Sequence, residues 1–190
     1  METKERGKVY PLAMTAVMAA VMAVVSPFSL PIGPIPISLC TFVIYLTTYV
    51  LGWKRATAAT LVYVLLGAVG APVFSGFGAG LGKVLGPTGG YIVGYILLAL
   101  VAGLFVEKFP DSRVLQLVGM VVGTAVLYAL GTAWFCVQGG KTVGYAMAYC
   151  VIPFLAGDGA KIIVTLAVGP LLRRRLAEAG LNPAACFWTK

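Results

Sequence analysis

Long apolar runs dominate this chain and restrict it to few architectures. Six such runs occupy residues 9–25, 38–52, 56–70, 89–106, 114–136 and 153–172. Inside a bilayer every backbone polar group must be satisfied within the protein, so runs of this length form helices. Hydrophobic residues make up 60% of the chain and charged residues 11%, whereas a soluble domain carries about 25% charged residues. We therefore predict an all-α integral membrane protein, a bundle of six transmembrane helices.

The chain length fits one bundle and no more. Six spans of about 20 residues with their connections fill it, which leaves no room for a soluble catalytic domain. We expect residues 1–176 to form a single transmembrane domain and residues 177–190 a short cytoplasmic tail. The first apolar run has no clear cleavage site, so we interpret it as a retained span.

The distribution of basic residues predicts the orientation. They cluster at residues 4–8, 54–55, 108–113 and 173–175. The only basic residues in the intervening connections are Lys83 and Lys141. By the positive-inside rule both termini are cytoplasmic, in a multi-pass protein of the plasma (inner) membrane. The net charge of +8 is scattered over loops rather than gathered on one face, which argues against nucleic-acid binding.

Residues 71–94 form an unusual connection, with eight glycines, two prolines and one lysine. Irregular backbone at membrane depth persists only where protein buries it or a cavity accepts it. This connection and residues 26–37 and 137–152 fall on the external side of the predicted topology, so we expect a ligand pocket near the external face. A phosphate-binding Walker loop is excluded, because it needs glycine in place of Phe77 and Ser or Thr in place of Val84.

The glycines near the start of the fourth span have two interpretations. Gly86, Gly90 and Gly94 keep the GxxxG spacing that lets helices approach closely, but they also suit the lining of a pocket. Tyr91 follows directly, and its hydroxyl needs a polar partner at that depth. That partner is either a ligand or the bundle itself.

Only two charged residues lie well inside a span, namely Asp158 and Lys161. Counted back from Arg173, they lie roughly 22 Å and 18 Å above the cytoplasmic boundary, in the outer half of the bilayer. Their i,i+3 spacing places them on one helix face, and an isolated charge there costs about 2.5–3.5 kcal/mol or more. One interpretation is a self-satisfied ion pair, with Asp158 also capping a helix that starts after Gly157. The other is a ligand site in which Asp158 accepts N–H groups and Lys161 or Lys83 neutralises a ligand carboxylate.

Small residues recur on the first helix. Ala16 and Ala20, and likewise Ala19 and Ala23, have the four-residue spacing that permits close helix contact. The partner is either another helix of the bundle or a second protein, and the sequence leaves these two equal.

Catalytic and metal-binding residues are not indicated. The chain has no histidine, which removes the commonest metal ligand and general base. Cys40, Cys136, Cys150 and Cys186 lack CxxC spacing and are interpreted as small buried residues. We predict no metal site and no cofactor.

Four motifs together resemble the BioY family, the biotin-specific S components of energy-coupling factor (ECF) transporters. They are IPISL at residues 35–39, GAPVF at 70–74, GPTGGY at 86–91 and PFLAGDGAK at 153–161. The GPTGGY run is the most specific of the four. The resemblance covers nearly the whole chain.

The resemblance implies a complete transport role. A six-helix S component captures biotin from outside and releases it inside after docking on a transmembrane coupling subunit, driven by two ATPase subunits that bind the ATP. It implies that Asp158 and Lys161 contact biotin and that the alanines of the first helix face the coupling subunit. Biotin's ureido N–H groups suit a carboxylate, its rings suit Phe74 and Tyr91, and its own carboxylate suits a lysine. The expected substrate-binding residues are Asp158, Lys161, Tyr91, Phe74, Gly90, Lys83 and Cys40, the last in place of the family's usual glutamine.

Two alternatives stay open within transport, and one lies outside it. The chain is also compatible with an S component for another vitamin or with a transporter that works without partners. An intramembrane enzyme is disfavoured, because there is no histidine and Asp158 is the only buried carboxylate predicted.

Overall fold

The computed structural model describes residues 2–30 and 35–179, and this part of the chain is mainly helical. Its helices are α1 (Glu2–Val25), α2 (Cys40–Val69), α3 (Leu81–Leu85), α4 (Gly89–Lys108), α5 (Arg113–Gly139), α6 (Val143–Cys150) and α7 (Ile152–Glu178). A short antiparallel pair, β1 (Ser29–Leu30) and β2 (Ile37–Ser38), precedes α2, and a 3-10 turn covers Ser75–Phe77. Helix α7 ends at Glu178, two residues into the predicted tail of residues 177–190, and residues 180–190 lie outside the described part.

Helix α2 is two arms that fold back on each other at Gly52. This residue has φ 69° and ψ 175°, a conformation that breaks the helix and that glycine adopts readily. The second arm returns toward the start of the first: the Tyr63 hydroxyl in the second arm bonds Ser26, which also contacts Ser38, two residues before the first arm begins. The backbone N–H of Trp53, left without a helical acceptor by the break, donates to a carboxylate oxygen of Glu107 on α4 at 3.0 Å. The two spans predicted here are therefore one hairpin.

Glycines set the close packing of α4 against α5. A Cβ atom on Gly90 would lie 2.3 Å from Cβ of Trp134, and one on Gly94 would lie 2.6 Å from Leu127. Trp134 also donates from its indole N–H to the carbonyl of Gly86 at 3.0 Å. Of the two interpretations of this spacing, helix packing is the one that these contacts support.

Three helices in the described residues are long and apolar enough to cross a membrane, namely α4, α5 and α7. Residues 10–25 of α1 form a shorter apolar helix. This confirms a helical membrane protein.

Candidate functional site

Asp158 is the centre of a buried polar cluster. It lies in the second turn of α7 with 4% of its surface exposed. One carboxylate oxygen, Oδ1, accepts from Lys161 Nζ at 2.8 Å and from Thr41 Oγ1 at 3.2 Å. The other, Oδ2, accepts from the hydroxyl of Tyr128. Three donors from α2, α5 and α7 thus converge on a single carboxylate.

Lys161 is fully engaged in the same cluster. Besides the ion pair with Asp158, its Nζ donates to the carbonyl of Ser38 at 2.6 Å and to Thr41 Oγ1 at 3.1 Å. An ammonium has three protons to donate, so each has a partner. The ion pair predicted from the i,i+3 spacing is confirmed, whereas the predicted cap is wrong: α7 begins at Ile152, one and a half turns before Asp158.

A small cavity of about 30 Å³ lies beside this cluster. Its wall combines the charged pair with aromatic and apolar side chains, contributed by Ile35, Pro36, Ser38, Thr41, Tyr91, Tyr95, Leu127, Tyr128, Phe154, Asp158 and Lys161. A few polar groups among aromatic side chains are typical of small-molecule sites. We call this space the Asp158 cavity.

A second small cavity, of about 20 Å³, adjoins the first. The two share Ile35, Pro36, Tyr91 and Tyr95, and the second adds Tyr63, Phe74, Ser75, Lys83, Thr88 and Ile92. We call it the Lys83 cavity. The Lys83 ammonium makes no hydrogen bond or ion pair with any described residue, in contrast to that of Lys161.

The glycine-rich connection forms one side of the Lys83 cavity and is tied to the bundle. The N–H of Gly76 donates to the carbonyl of Pro27 at 3.0 Å, and that of Gly80 donates to Gly67 at 2.7 Å. The Phe74 ring fits against Gly67, where a Cβ atom would lie 2.1 Å from the ring, and meets Tyr63 edge-on. The connection is therefore an ordered wall.

Four of the seven predicted ligand-binding residues line one of the two cavities, and Tyr91 lines both. Its hydroxyl has found a partner within the bundle, Thr132 at 3.2 Å. Cys40 is fully buried and Gly90 contacts Trp134, and neither lines a cavity described here. Their ligand contacts stay predictions.

The alanines of α1 divide between two faces. Ala19 is 2% exposed and Ala23 packs against the core, so this pair faces the bundle. Ala16 and Ala20 are exposed. One pair therefore contacts the bundle, and contact of the other pair with a second protein stays a prediction.

Cysteine pairing is absent from the described residues. Cys40, Cys136 and Cys150 are free thiols, two of them buried, as the spacing predicted. Cys186 lies outside the described part of the chain.

Three site residues escaped the sequence analysis. Thr41 and Tyr128 complete the Asp158 cluster, and Tyr95 lines both cavities with a hydroxyl that has no hydrogen-bond partner among the described residues. Tyr95 follows Tyr91 by four residues, so the shared helix face was available as a signal. Thr41 and Tyr128 carried no such signal, because their partner lies on another helix.

A helical membrane fold with a charged pair on the wall of an internal cavity is typical of membrane proteins that bind small solutes. The particular family follows from comparison with known proteins. The family model described as "BioY family" matches residues 1–178, so the chain belongs to this family. The resemblance inferred from the four motifs is confirmed.

Individual relatives agree. A "Biotin transporter BioY" from Thermotoga maritima is 38% identical over 169 residues, 88% of this chain and 98% of the relative. A "Probable biotin transporter BioY" from Pyrococcus horikoshii is 33% identical over 171 residues, 89% of this chain and 97% of the relative. These relatives are named as transporters, in agreement with the prediction that the chain is not an enzyme.

A solved structure has the same fold. The crystal structure of the S-component for biotin from an ECF-type ABC transporter aligns with a TM-score of 0.81 and 26% identity. The alignment covers 88% of this chain and 92% of that one.

Proposed function

We propose that this chain is the membrane-embedded substrate-binding subunit, or S component, of an ECF-type biotin transporter. The observation that carries the proposal is the Asp158–Lys161 pair, held on a cavity wall in a chain whose relatives are named biotin transporters. A charged pair at this depth is expected where a solute binds or passes. Biotin is the transported ligand, and the chain itself needs no cofactor.

The two adjoining cavities together offer the polar and aromatic groups that biotin would contact. Its ureido group lies in the Asp158 cavity, where it hydrogen-bonds the carboxylate, and its rings lie against Tyr91 and Tyr95. Its carboxylate extends into the Lys83 cavity past Phe74. Lys83 is the better choice for this charge, because all three protons of Lys161 already have partners.

The proposed topology is six spans in the plasma membrane, formed by α1, the two arms of α2, α4, α5 and α7. Residues 1–176 make up the transmembrane domain. The basic turn after Gly52 contacts Glu107 at the end of α4, which places two of the basic connections at one end of the bundle. We assign this end and both termini to the cytoplasm, and the glycine-rich connection and both cavities to the external side.

The proposed partners are a transmembrane coupling subunit and two ATPase subunits. The exposed Ala16 and Ala20 of α1, flanked by the exposed Val17 and Leu12, offer a shallow surface for helix contact. Ala16→Leu should abolish uptake in cells that express the coupling module while leaving biotin binding by purified protein unchanged. Ala167→Leu, at an exposed position of α7, is the matched control, and equal uptake by both variants would argue against this interface.

Equilibrium binding of biotin to the purified full chain tests the function directly. Asp158→Asn should weaken binding about 10-fold or more, because a hydrogen bond to a charged group is worth about 1.5–3 kcal/mol. Asp111→Asn, a carboxylate at the opposite end, is the matched control. Competition by other vitamins separates the alternatives. If another vitamin bound more tightly than biotin, that vitamin would be the proposed ligand. Unchanged affinity in Asp158→Asn would refute the role of this carboxylate.

A further inference from the structure

A third pocket lies at the opposite end of the molecule from the two cavities. It has a volume of about 320 Å³ and lies between the α4–α5 connection and the end of α7. The lining residues are Tyr49, Pro110, Asp111, Gln116, Pro170, Arg173, Arg174 and Ala177. Arg173 follows Asp158 by fifteen residues, roughly 22 Å along α7, so this basic-end pocket is separate from the proposed biotin site.

The floor of the basic-end pocket is built by buried residues that satisfy one another. The Tyr49 hydroxyl donates to Gln116 Oε1 at 2.7 Å, and Gln116 Nε2 donates to the carbonyls of Phe109 and Pro110, both at 2.9 Å. The ring of Tyr49 lies against Gly169, where a Cβ atom would be 2.5 Å away. The floor is therefore fixed in shape, and polar contacts to a ligand come from the rim.

The rim carries both signs of charge. Arg173 and Arg174 lie on one side and Asp111 on the other. Arg174 pairs with Glu178 at 3.0 Å, but the arginine side chain is 79% exposed, so the pair contributes little and exchanges easily for another anion. Guanidinium groups bind phosphate with two parallel hydrogen bonds, and a carboxylate opposite them accepts a bond from an ammonium group.

An apolar stripe continues from the pocket toward the centre of the bilayer. Ile163, Ala167 and Pro170 follow the i, i+4, i+7 spacing of one helix face, and the first two are exposed, Ile163 by 68%. Arg174 extends the same face at the basic end. A phosphate group bound by the arginines therefore lies beside an apolar track of the kind that an acyl chain covers, which favours a phospholipid over a soluble phosphate.

We propose that the basic-end pocket binds the headgroup of phosphatidylethanolamine. Its phosphate pairs with Arg173 and Arg174, its ammonium donates to Asp111, and one acyl chain lies along Ile163 and Ala167. The bound lipid fills the space between the α4–α5 connection and α7. It acts at the end of the bundle away from biotin and does not depend on which solute the two cavities hold.

Native mass spectrometry of the full chain, with equal amounts of phosphatidylethanolamine, phosphatidylcholine and phosphatidylglycerol added in turn, tests the site. Phosphatidylethanolamine should be retained most strongly, because the quaternary ammonium of phosphatidylcholine has no N–H for Asp111. The double variant Arg173→Gln, Arg174→Gln should lower its retention about five-fold or more. Arg175→Gln, an adjacent arginine that does not line the pocket, is the matched control and should retain the parent level.

Asp111→Asn sharpens the assignment, since it should remove the preference for phosphatidylethanolamine over phosphatidylcholine. Retained biotin binding verifies that each variant is folded. The proposal is overturned if the parent retains the two lipids equally, if phosphatidylglycerol is retained most strongly, or if the double variant retains the parent level. Competition by glycerophosphoethanolamine at an equal concentration would show a site for soluble phosphates and would also overturn it.

Discussion

The Asp158 cavity and the Lys83 cavity share four residues but are built in different ways. Side chains from three long helices hold the charges of the first, and both of its charged groups are paired within the protein. In the second, the charge stands on a short helix in a glycine-rich connection and has no ion-pair partner among the described residues. The Asp158 cavity is thus built around a paired carboxylate and ammonium, whereas the Lys83 cavity contains an ammonium that has no ion-pair partner among the described residues.

The glycine-rich connection beside the Lys83 cavity has a fixed conformation although it contains no long helix. Gly76 has φ 66° and Gly80 has φ 82°, which residues with a side chain adopt with strain. Their N–H groups are held by carbonyls of Pro27 and Gly67. The connection is thus fixed through its backbone, which leaves the Lys83 side chain free to meet a ligand. In the Asp158 cavity the side chains themselves carry the order.

The largest effect is expected from Lys161→Met. It leaves Asp158 buried without its cation, and breaking a buried pair in this way costs about 3–5 kcal/mol. Thermal unfolding in detergent measures the loss. The double variant Asp158→Asn, Lys161→Met should recover most of the stability but not biotin binding. Equal stability of the single variant and the parent would show that the pair is not a fixed unit.

Lys83→Met should act on affinity and not on folding. Losing a charged hydrogen bond to the biotin carboxylate should weaken binding about 10-fold, with an unchanged unfolding temperature. Biotin methyl ester, which lacks the charge, should bind the parent and the variant equally. If Lys83→Met left the affinity for biotin unchanged, Lys83 would not bind the biotin carboxylate, and the proposed difference in role between Lys83 and Lys161 would be wrong.

A smaller effect is expected from Tyr95→Phe. Removing the hydroxyl that faces both cavities deletes one neutral hydrogen bond to the ligand, about 1 kcal/mol or roughly five-fold in affinity. Tyr45→Phe is the matched control, because the Tyr45 hydroxyl bonds Thr124 away from both cavities. That control should lower stability by about 1 kcal/mol and leave affinity unchanged. Equal affinity losses in the two variants would mean that Tyr95 acts through packing.

The helical class was predictable because apolar runs in a bilayer have almost no other structure available. The i,i+3 spacing of Asp158 and Lys161 predicted their ion pair, since both atoms lie on one helix. The start of the fourth span, predicted at residue 89, is likewise where α4 begins, within the GPTGGY run. Contacts between residues of the same helix could therefore be predicted from their spacing in the sequence.

Contacts between distant helices could not be predicted. Thr41 and Tyr128 join Asp158 from positions 117 and 30 residues away, and no local pattern indicates such pairs. The reversal at Gly52 was expected as a loop around Lys54 and Arg55, because basic residues usually mark connections. The structure instead reverses the chain at one glycine and begins the next helix with those residues. The split of the α1 alanines also depends on how the helix is rotated, which small-residue spacing does not specify.

The saturated cluster around Asp158 bears on the transport cycle. A carrier that has delivered its cargo returns through the same membrane empty. Were its recognition charges satisfied only by the ligand, the empty form would hold a bare carboxylate and a bare ammonium at a depth where each costs several kcal/mol. In this structure Asp158 and Lys161 satisfy each other and are also bonded to Thr41, Tyr128 and the carbonyl of Ser38. In the proposed function the empty carrier is therefore a stable resting state, and biotin would exchange with these internal partners.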